Sequence, residues 1–148
     1  MNELIEQVKD YYGKVLDGTK DLKTKACCCS STGLPKEVRE ALSLIDDEIV
    51  THYYGCGSPI PPLLEGMTVL DLGCGTGRDV YVASKLVGEK GHVIGVDMTQ
   101  EQLDIALRHE EEQYKRFGYR ASNVEFKKGY IEDLKSLGIA DNSIDVVI

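Results

Sequence analysis

The chain has 148 residues, 42% hydrophobic and 28% charged, which is the make-up of one globular domain long enough to bury a core. Its 17 basic and 25 acidic residues leave a net charge of −8, which argues against nucleic acid or an anionic membrane as main partner and favours a neutral or cationic small molecule. No apolar run approaches the roughly 20 residues of a membrane span, and the start MNELIEQVKDYYGK is not a secretory leader. A cytosolic protein is expected, with its five cysteines as thiols and free for metal, metalloid or redox chemistry.

Leu4, Ile5, Val8, Tyr12 and Val15 recur at helical spacing and predict an amphipathic helix over 3–16. The polar, small-residue stretch DGTKDLKTKACCCSSTGL at 17–34 reads as a loop. Pro35 then opens a second helix, PKEVREALSLIDDEIVTHYY, whose apolar face is Val38, Leu42, Ile45 and Ile49. GCGSPIPPLLEG holds three of the four prolines and links this part to the main fold. The division expected is 1–62, helices and cysteine loops, and 63–148, the main domain.

From Met67 the pattern alternates. MTVLDL, HVIGVD, NVEFKKG and SIDVVI read as strands, with helices near 77–87 and 99–117 and a polar connection at 132–143. Thr99 with Gln102 three residues on suggests a capping box. Strands separated by helices imply an α/β, Rossmann-like parallel sheet with right-handed crossovers. Between the first strand and its helix lies DLGCGTG, with glycines at 73, 75 and 77. A glycine loop there lets backbone N–H groups approach a charged ligand closely. A dinucleotide fold needs G-x-G-x-x-G, and the third glycine of that pattern would fall on Arg78. The spacing is instead G-x-G-x-G preceded by Asp71, the form of S-adenosylmethionine (SAM) sites. Asp97, closing the second strand, is placed to grip a ribose, a feature that also suits NAD.

The sequence ends at Ile148 inside an apolar run, which reads as the front part of a longer protein. The alternative is a shortened product that pairs with something else.

Beyond the glycine loop, YYGKVLDGTKDLKTKAC, YYGCGSPIP, DLGCGTGRDVYVASKLVGEKGHVIGVDMT and GYIEDL together resemble the arsenite S-adenosylmethionine methyltransferases, over essentially the whole chain. The glycine loop is common to all class I SAM-dependent methyltransferases; the YYG and cysteine segments are the more specific part. The resemblance implies methyl transfer from SAM to trivalent arsenic held by cysteine thiolates. As(III) is soft and thiophilic, so thiolates suit it. Its lone pair can take up a methyl group directly, so the site must supply geometry rather than a general base.

By this resemblance Cys27 and Cys56 are the arsenic ligands, 1–62 is an arsenic-binding cap, and two further ligands lie beyond Ile148. Asp71, Gly73, Cys74, Gly75, Gly77 and Arg78 would surround the methionine end of SAM. Asp97 would accept from the ribose hydroxyls, Met98 would pack on the adenine, and Ile131 and Glu132 would flank and hydrogen-bond it. Thioredoxin or glutathione would recycle the thiols.

Plainer readings stand beside these. Cys28 and Cys29 are spare thiols or casual chelators, and a zinc site at 27–29 with Cys56 suffers from adjacent ligands. Cys74 fills a small slot, His92 and His109 are surface residues, and HEEEQ at 109–113 is a solvated helix face. His52 has a core or surface role, and Tyr53 and Tyr54 either pack or line a substrate entrance. The rival functions are methyl transfer to another small molecule, such as a quinone or lipid, and a fragment that binds SAM or arsenic without turnover.

Overall fold

The computed structural model describes residues 3–16, 33–55, 57–62 and 64–148. Cys27, Cys28, Cys29 and Cys56 lie outside them.

Four strands, β1 (Thr68–Leu72), β2 (His92–Asp97), β3 (Val124–Lys128) and β4 (Val146–Val147), form one sheet in the order β3-β2-β1-β4. Every pairing is parallel, with Val69 opposite Val93 and Val146, and Val93 opposite Val124. This is the expected parallel α/β architecture. β4 is shorter than SIDVVI suggested, but the ladder runs past its ends: Asp145 N–H donates to the Thr68 carbonyl at 2.9 Å and Leu72 N–H to that of Ile148 at 3.0 Å.

The helices on the sheet are α4 (Arg78–Val87), α5 (Gln100–Arg108) and α6 (Glu110–Arg116). Val80, Val82, Ala83 and Val87 of α4 are fully buried with Val69 and Val93. Each such valine contributes about 1.5–3 kcal/mol by leaving water. The same cluster takes in Val38, Ala41, Ile45 and Ile49 from the N-terminal part, so both parts of the chain share one core. On the other face Leu70, Ile94 and Val96 are covered by the half-buried Leu134, Leu137, Ile139 and Ile144.

Where the sequence predicted single long helices, the structure breaks them. The first is α-helical over Glu3–Asp10 (α1) and then widens to a π-helical turn, Tyr11–Val15, with Leu16 N–H reaching the Tyr11 carbonyl at 3.2 Å. Gly13 sits in that turn because a Cβ would meet Thr99 Cγ2 and Glu101 Oε2, each at 2.9 Å. The second splits into α2 (Lys36–Leu42) and α3 (Asp47–Thr51), with Pro35 as the N-cap of α2. Asp46 caps α3 by accepting from Glu48 N–H at 3.0 Å. The third divides at His109 into α5 and α6.

The second and third breaks answer each other. Gln113, fully buried, accepts from Asp46 N–H at 2.9 Å and donates to the Leu44 carbonyl at 3.2 Å. His109 hydrogen-bonds Glu48, which Arg108 also pairs at 2.7 Å. Two expectations are thereby corrected: His109 is not a free surface residue, and HEEEQ is solvated only at Glu111 and Glu112. The capping box also fails. The Thr99 side chain makes no cap hydrogen bond, and Gln102 donates instead to the Tyr12 carbonyl at 3.0 Å.

Candidate cofactor site

A cleft of about 610 Å³ opens at the carboxyl ends of β1 and β2. Strand order reverses between β1 and β4, and open α/β sheets bind ligands at such a switch point. The floor is the end of β1 and the loop after it, residues 71–76, with Asp97 at the end of β2, Met98 and Thr99 after it, and residues 129–132 after β3. Leu4, Ile5, Val8 and Tyr12 form one wall, and His52, Tyr53, Tyr54 and Gly55 another. The apolar face of α1 is thus turned to the cleft rather than to the core. None of its residues is buried, and Leu4 remains 62% exposed.

The glycines of the loop have distinct tasks. Gly73, Gly75 and Gly77 all have positive φ, at 81°, 54° and 84°. Gly77 also meets a steric limit: a Cβ would lie 2.9 Å from the Phe126 ring and 3.3 Å from Ala106, where α4 begins against β3 and α5. The loop amides are not offered to a ligand as expected. Gly73 and Cys74 N–H both donate to the Val96 carbonyl, at 2.8 and 3.0 Å. Gly75 N–H donates to Asp97 Oδ2 at 2.8 Å, and Gly77 N–H to the Cys74 carbonyl at 2.9 Å. An anion would find these donors already used.

What faces the cleft is carboxylate. Asp71 is 7% exposed, and no hydrogen bond reaches its side chain from the described residues. Burial, with the charges of Asp79 and Asp97 nearby, pushes its pKa up to about 7. Asp97 holds the loop by accepting from Gly75 N–H and from Thr99 N–H, each at 2.8 Å. A carboxylate has about four acceptor sites, so these two bonds leave Asp97 able to accept hydroxyls from the cleft. Asp79 is buried and held up in pKa by desolvation, against the lowering effect of Arg78. Cys74 is buried against Gly95, and burial with the charges of Asp71 and Asp97 raises its thiol well above the ordinary value.

Of the residues singled out in the sequence, Asp71, Gly73, Cys74, Gly75, Asp97, Met98, Ile131 and Glu132 line this one cleft. Gly77 stands just behind as the N-cap of α4. Arg78 is not among the lining residues. Its guanidinium lies 3.7 Å from the Tyr53 ring centroid and donates to the Gly57 carbonyl at 3.3 Å. Tyr53 and Tyr54 line the cleft, as does His52, whose Nδ1 donates to the Glu48 carbonyl at 2.8 Å. Sequence reasoning missed Asp79, Gln102 and the turn of α1 towards the cleft. An arginine–aspartate pair opening an otherwise apolar helix was the available signal for the first; the others depend on contacts about 90 residues apart.

Residues 63–148 match a family described as "Methyltransferase domain". Over 143 residues, 97% of this chain, the sequence is 52% identical to an arsenite methyltransferase of Aquipseudomonas alcaligenes, and it covers 40% of that protein. It is 47% identical over 146 residues to the arsenite methyltransferase of Homo sapiens, covering 99% of this chain and 39% of that one. The chain therefore spans about two fifths of the length of these curated relatives. Among solved structures, it resembles an arsenic(III) S-adenosylmethionine methyltransferase from Chlamydomonas reinhardtii, with a TM-score of 0.75 and 50% identity over 77% of this chain and 38% of that one. With its parallel sheet, its glycine loop and a cleft at the switch point, the chain belongs to the methyltransferase-domain family and has the class I SAM-dependent fold.

Proposed function

We propose that the cleft binds SAM and that the chain works as the cofactor-binding part of an enzyme that methylates trivalent arsenic held on cysteine thiolates. The observation that carries the SAM half is the donor set. The amides of Gly73, Cys74, Gly75 and Gly77 are spent internally, and a buried Asp71 with no hydrogen-bond partner among the described residues faces the cleft with Asp79 and Asp97. Such a site repels a pyrophosphate and suits a ligand with cationic ammonium and sulfonium groups. Asp71 and the 73–75 loop would hold the methionine end, and Asp97 the ribose. Met98, Ile131 and Glu132 would take the adenine, and α1 would close over it.

When bound, SAM would supply a sulfonium-activated methyl group, which an arsenic lone pair can take up without a general base as the carbon–sulfur bond breaks and the neutral thioether leaves. The task of the chain's own residues is orientation and exclusion of water. Leu4, Ile5 and Val8 give the cleft an apolar wall for that purpose. The acceptor half rests on the similarity to arsenite methyltransferases and on thiolate chemistry. Cys27 and Cys56 are the ligands in this reading, and Cys56 follows directly on Gly55, a residue of the cleft wall. We assign 1–62 as the cap that presents them and 63–148 as the cofactor domain. A thiol reductant in the cytosol, thioredoxin or glutathione, would return the thiols to their reduced state.

Native mass spectrometry of the reduced protein with SAM and phenylarsenoxide tests both halves. Adducts with both ligands are expected, the arsenical one lost in Cys27→Ser and in Cys56→Ser. An arsenical adduct that survives both substitutions removes the arsenic assignment and leaves SAM binding alone. Tighter binding of NAD than of SAM in calorimetry removes the cofactor assignment.

A further inference from the structure

Tyr53 and Gly57 are tied to α4 in a way that cofactor binding does not require. The Tyr53 ring folds back over Gly55, where a Cβ would stand 2.3 Å from Tyr53 Oη and 2.5 Å from Cζ; any residue but glycine would evict the ring. Gly57 then turns at a φ of 71°. Its carbonyl lies 3.1 Å from Tyr53 Oη and accepts from Arg78 Nη2 at 3.3 Å. Tyr53 Oη is also 3.1 Å from Asp79 Oδ2, while Arg78 Nε stands 3.4 Å from Asp79 Oδ1 and its guanidinium stacks on the Tyr53 ring.

Arg78 and Asp79 are 9% and 6% exposed. Burying an ion pair at the start of a helix stabilises a fold no better than apolar packing would, and often less. What this pair does offer is direction. Apart from each other, the side-chain partners described for Arg78 and Asp79 are Tyr53 and Gly57, which stand on either side of Cys56 in the sequence.

We propose that Tyr53, Arg78 and Asp79 form a clamp that fixes the chain on both sides of Cys56 against the first turn of α4, and so sets where that thiol stands for its substrate. They are positioning residues: none is asked to touch the transferred group. The clamp's purpose rests on the reading of Cys56 as a substrate ligand; its geometry does not.

The test is site-resolved alkylation of the reduced, full chain with iodoacetamide, read by peptide mass, with the buried Cys74 as internal control. Loss of one hydrogen bond or stacking contact in Tyr53→Phe or Arg78→Lys should speed alkylation of Cys56 about threefold or more while Cys74 stays protected. Phenylarsenoxide affinity should fall about tenfold in the same variants. Gly55→Ala, which displaces the ring while leaving every polar side chain in place chemically, should reproduce both changes. Unchanged Cys56 rates and arsenical affinity in all three variants overturn the clamp. So does a parallel rise of Cys56 and Cys74, which would make these side chains supports of the fold alone. If Cys56→Ser binds phenylarsenoxide as the parent does, the arsenic reading fails instead, and the Cys56 to Cys74 ratio still decides whether the clamp fixes the loop.

Discussion

The two walls of the cleft are built by different means. On the sheet side, the amides of the loop after β1 are bound by the end of the strand next to it. Gly73 and Cys74 hang on Val96, and Gly75 on Asp97. On the N-terminal side, the turn after α1, Gly57 and the 44–46 turn are held by polar side chains from later in the chain: Gln102 on Tyr12, Arg78 on Gly57, Gln113 on Asp46 and Leu44. The first wall is a rigid ledge. The second is a layer tied on through side chains.

The sharpest way to break this comparison is at Gly77, where backbone strain and a steric clash coincide. Gly77→Ala forces a side chain into φ 84° and against Phe126 and Ala106, and should cost about 3 kcal/mol in urea unfolding. SAM binding should vanish with it. A loss below about 1 kcal/mol would mean the ledge is softer than its packing suggests.

Asp71 gives a pH signature to the same wall. Its carboxyl titrates at about 7 in the folded chain against an ordinary 3.8, so folding disfavours its charged form. Its contribution to stability without ligand is complete below about pH 4 and is lost as pH rises through 7. A cationic ligand favours the charged form. SAM affinity should therefore rise with pH and level off above 7, falling about tenfold for each unit below. Proton release on binding, read by calorimetry in buffers of different ionisation heat, should be largest near pH 6 and absent in Asp71→Asn. A flat profile in the parent chain would separate Asp71 from the ligand.

On the N-terminal side, Gln113→Leu keeps the volume and removes the two bonds to the 44–46 turn. It should cost about 2 kcal/mol, because Asp46 N–H and the Leu44 carbonyl lose their buried partner. SAM affinity should hardly move, since Gln113 is not one of the residues that line the cleft.

The same division explains what could be read from the sequence. β1, β2, the glycine loop and Asp97 carry their geometry in local spacing: an apolar run, a left-handed turn, a carboxylate at the strand end. Helix interruptions did not show, because apolar spacing at Val38, Leu42, Ile45 and Ile49 runs on through the break. What stops the helix is Asp46 as a cap and Gln113 as its distant partner. The first could have been seen in the acidic run Asp46, Asp47, Glu48; the second lies 67 residues away. Gln102 misled for a related reason. Its place three residues after Thr99 fits a cap, yet Tyr12 offers a carbonyl that the sequence does not put nearby.

The bond from Gln102 to Tyr12 ties the turn after α1 to the sheet side, and its loss should be the smallest effect on stability and a telling one on function. Gln102→Leu fills the same space and should change unfolding free energy by only about 1 kcal/mol. It releases the turn that follows α1, whose exposed Leu4 and Val8 have little else to hold them over the cleft. Limited proteolysis within 3–16 should quicken, and SAM should dissociate several-fold faster in stopped flow while its association rate stays close to the parent's, as most affinity changes fall on the off-rate. If instead the dissociation rate is unchanged while cleavage quickens, α1 is a passenger on the ledge, and the apolar wall it presents contributes nothing to holding the cofactor.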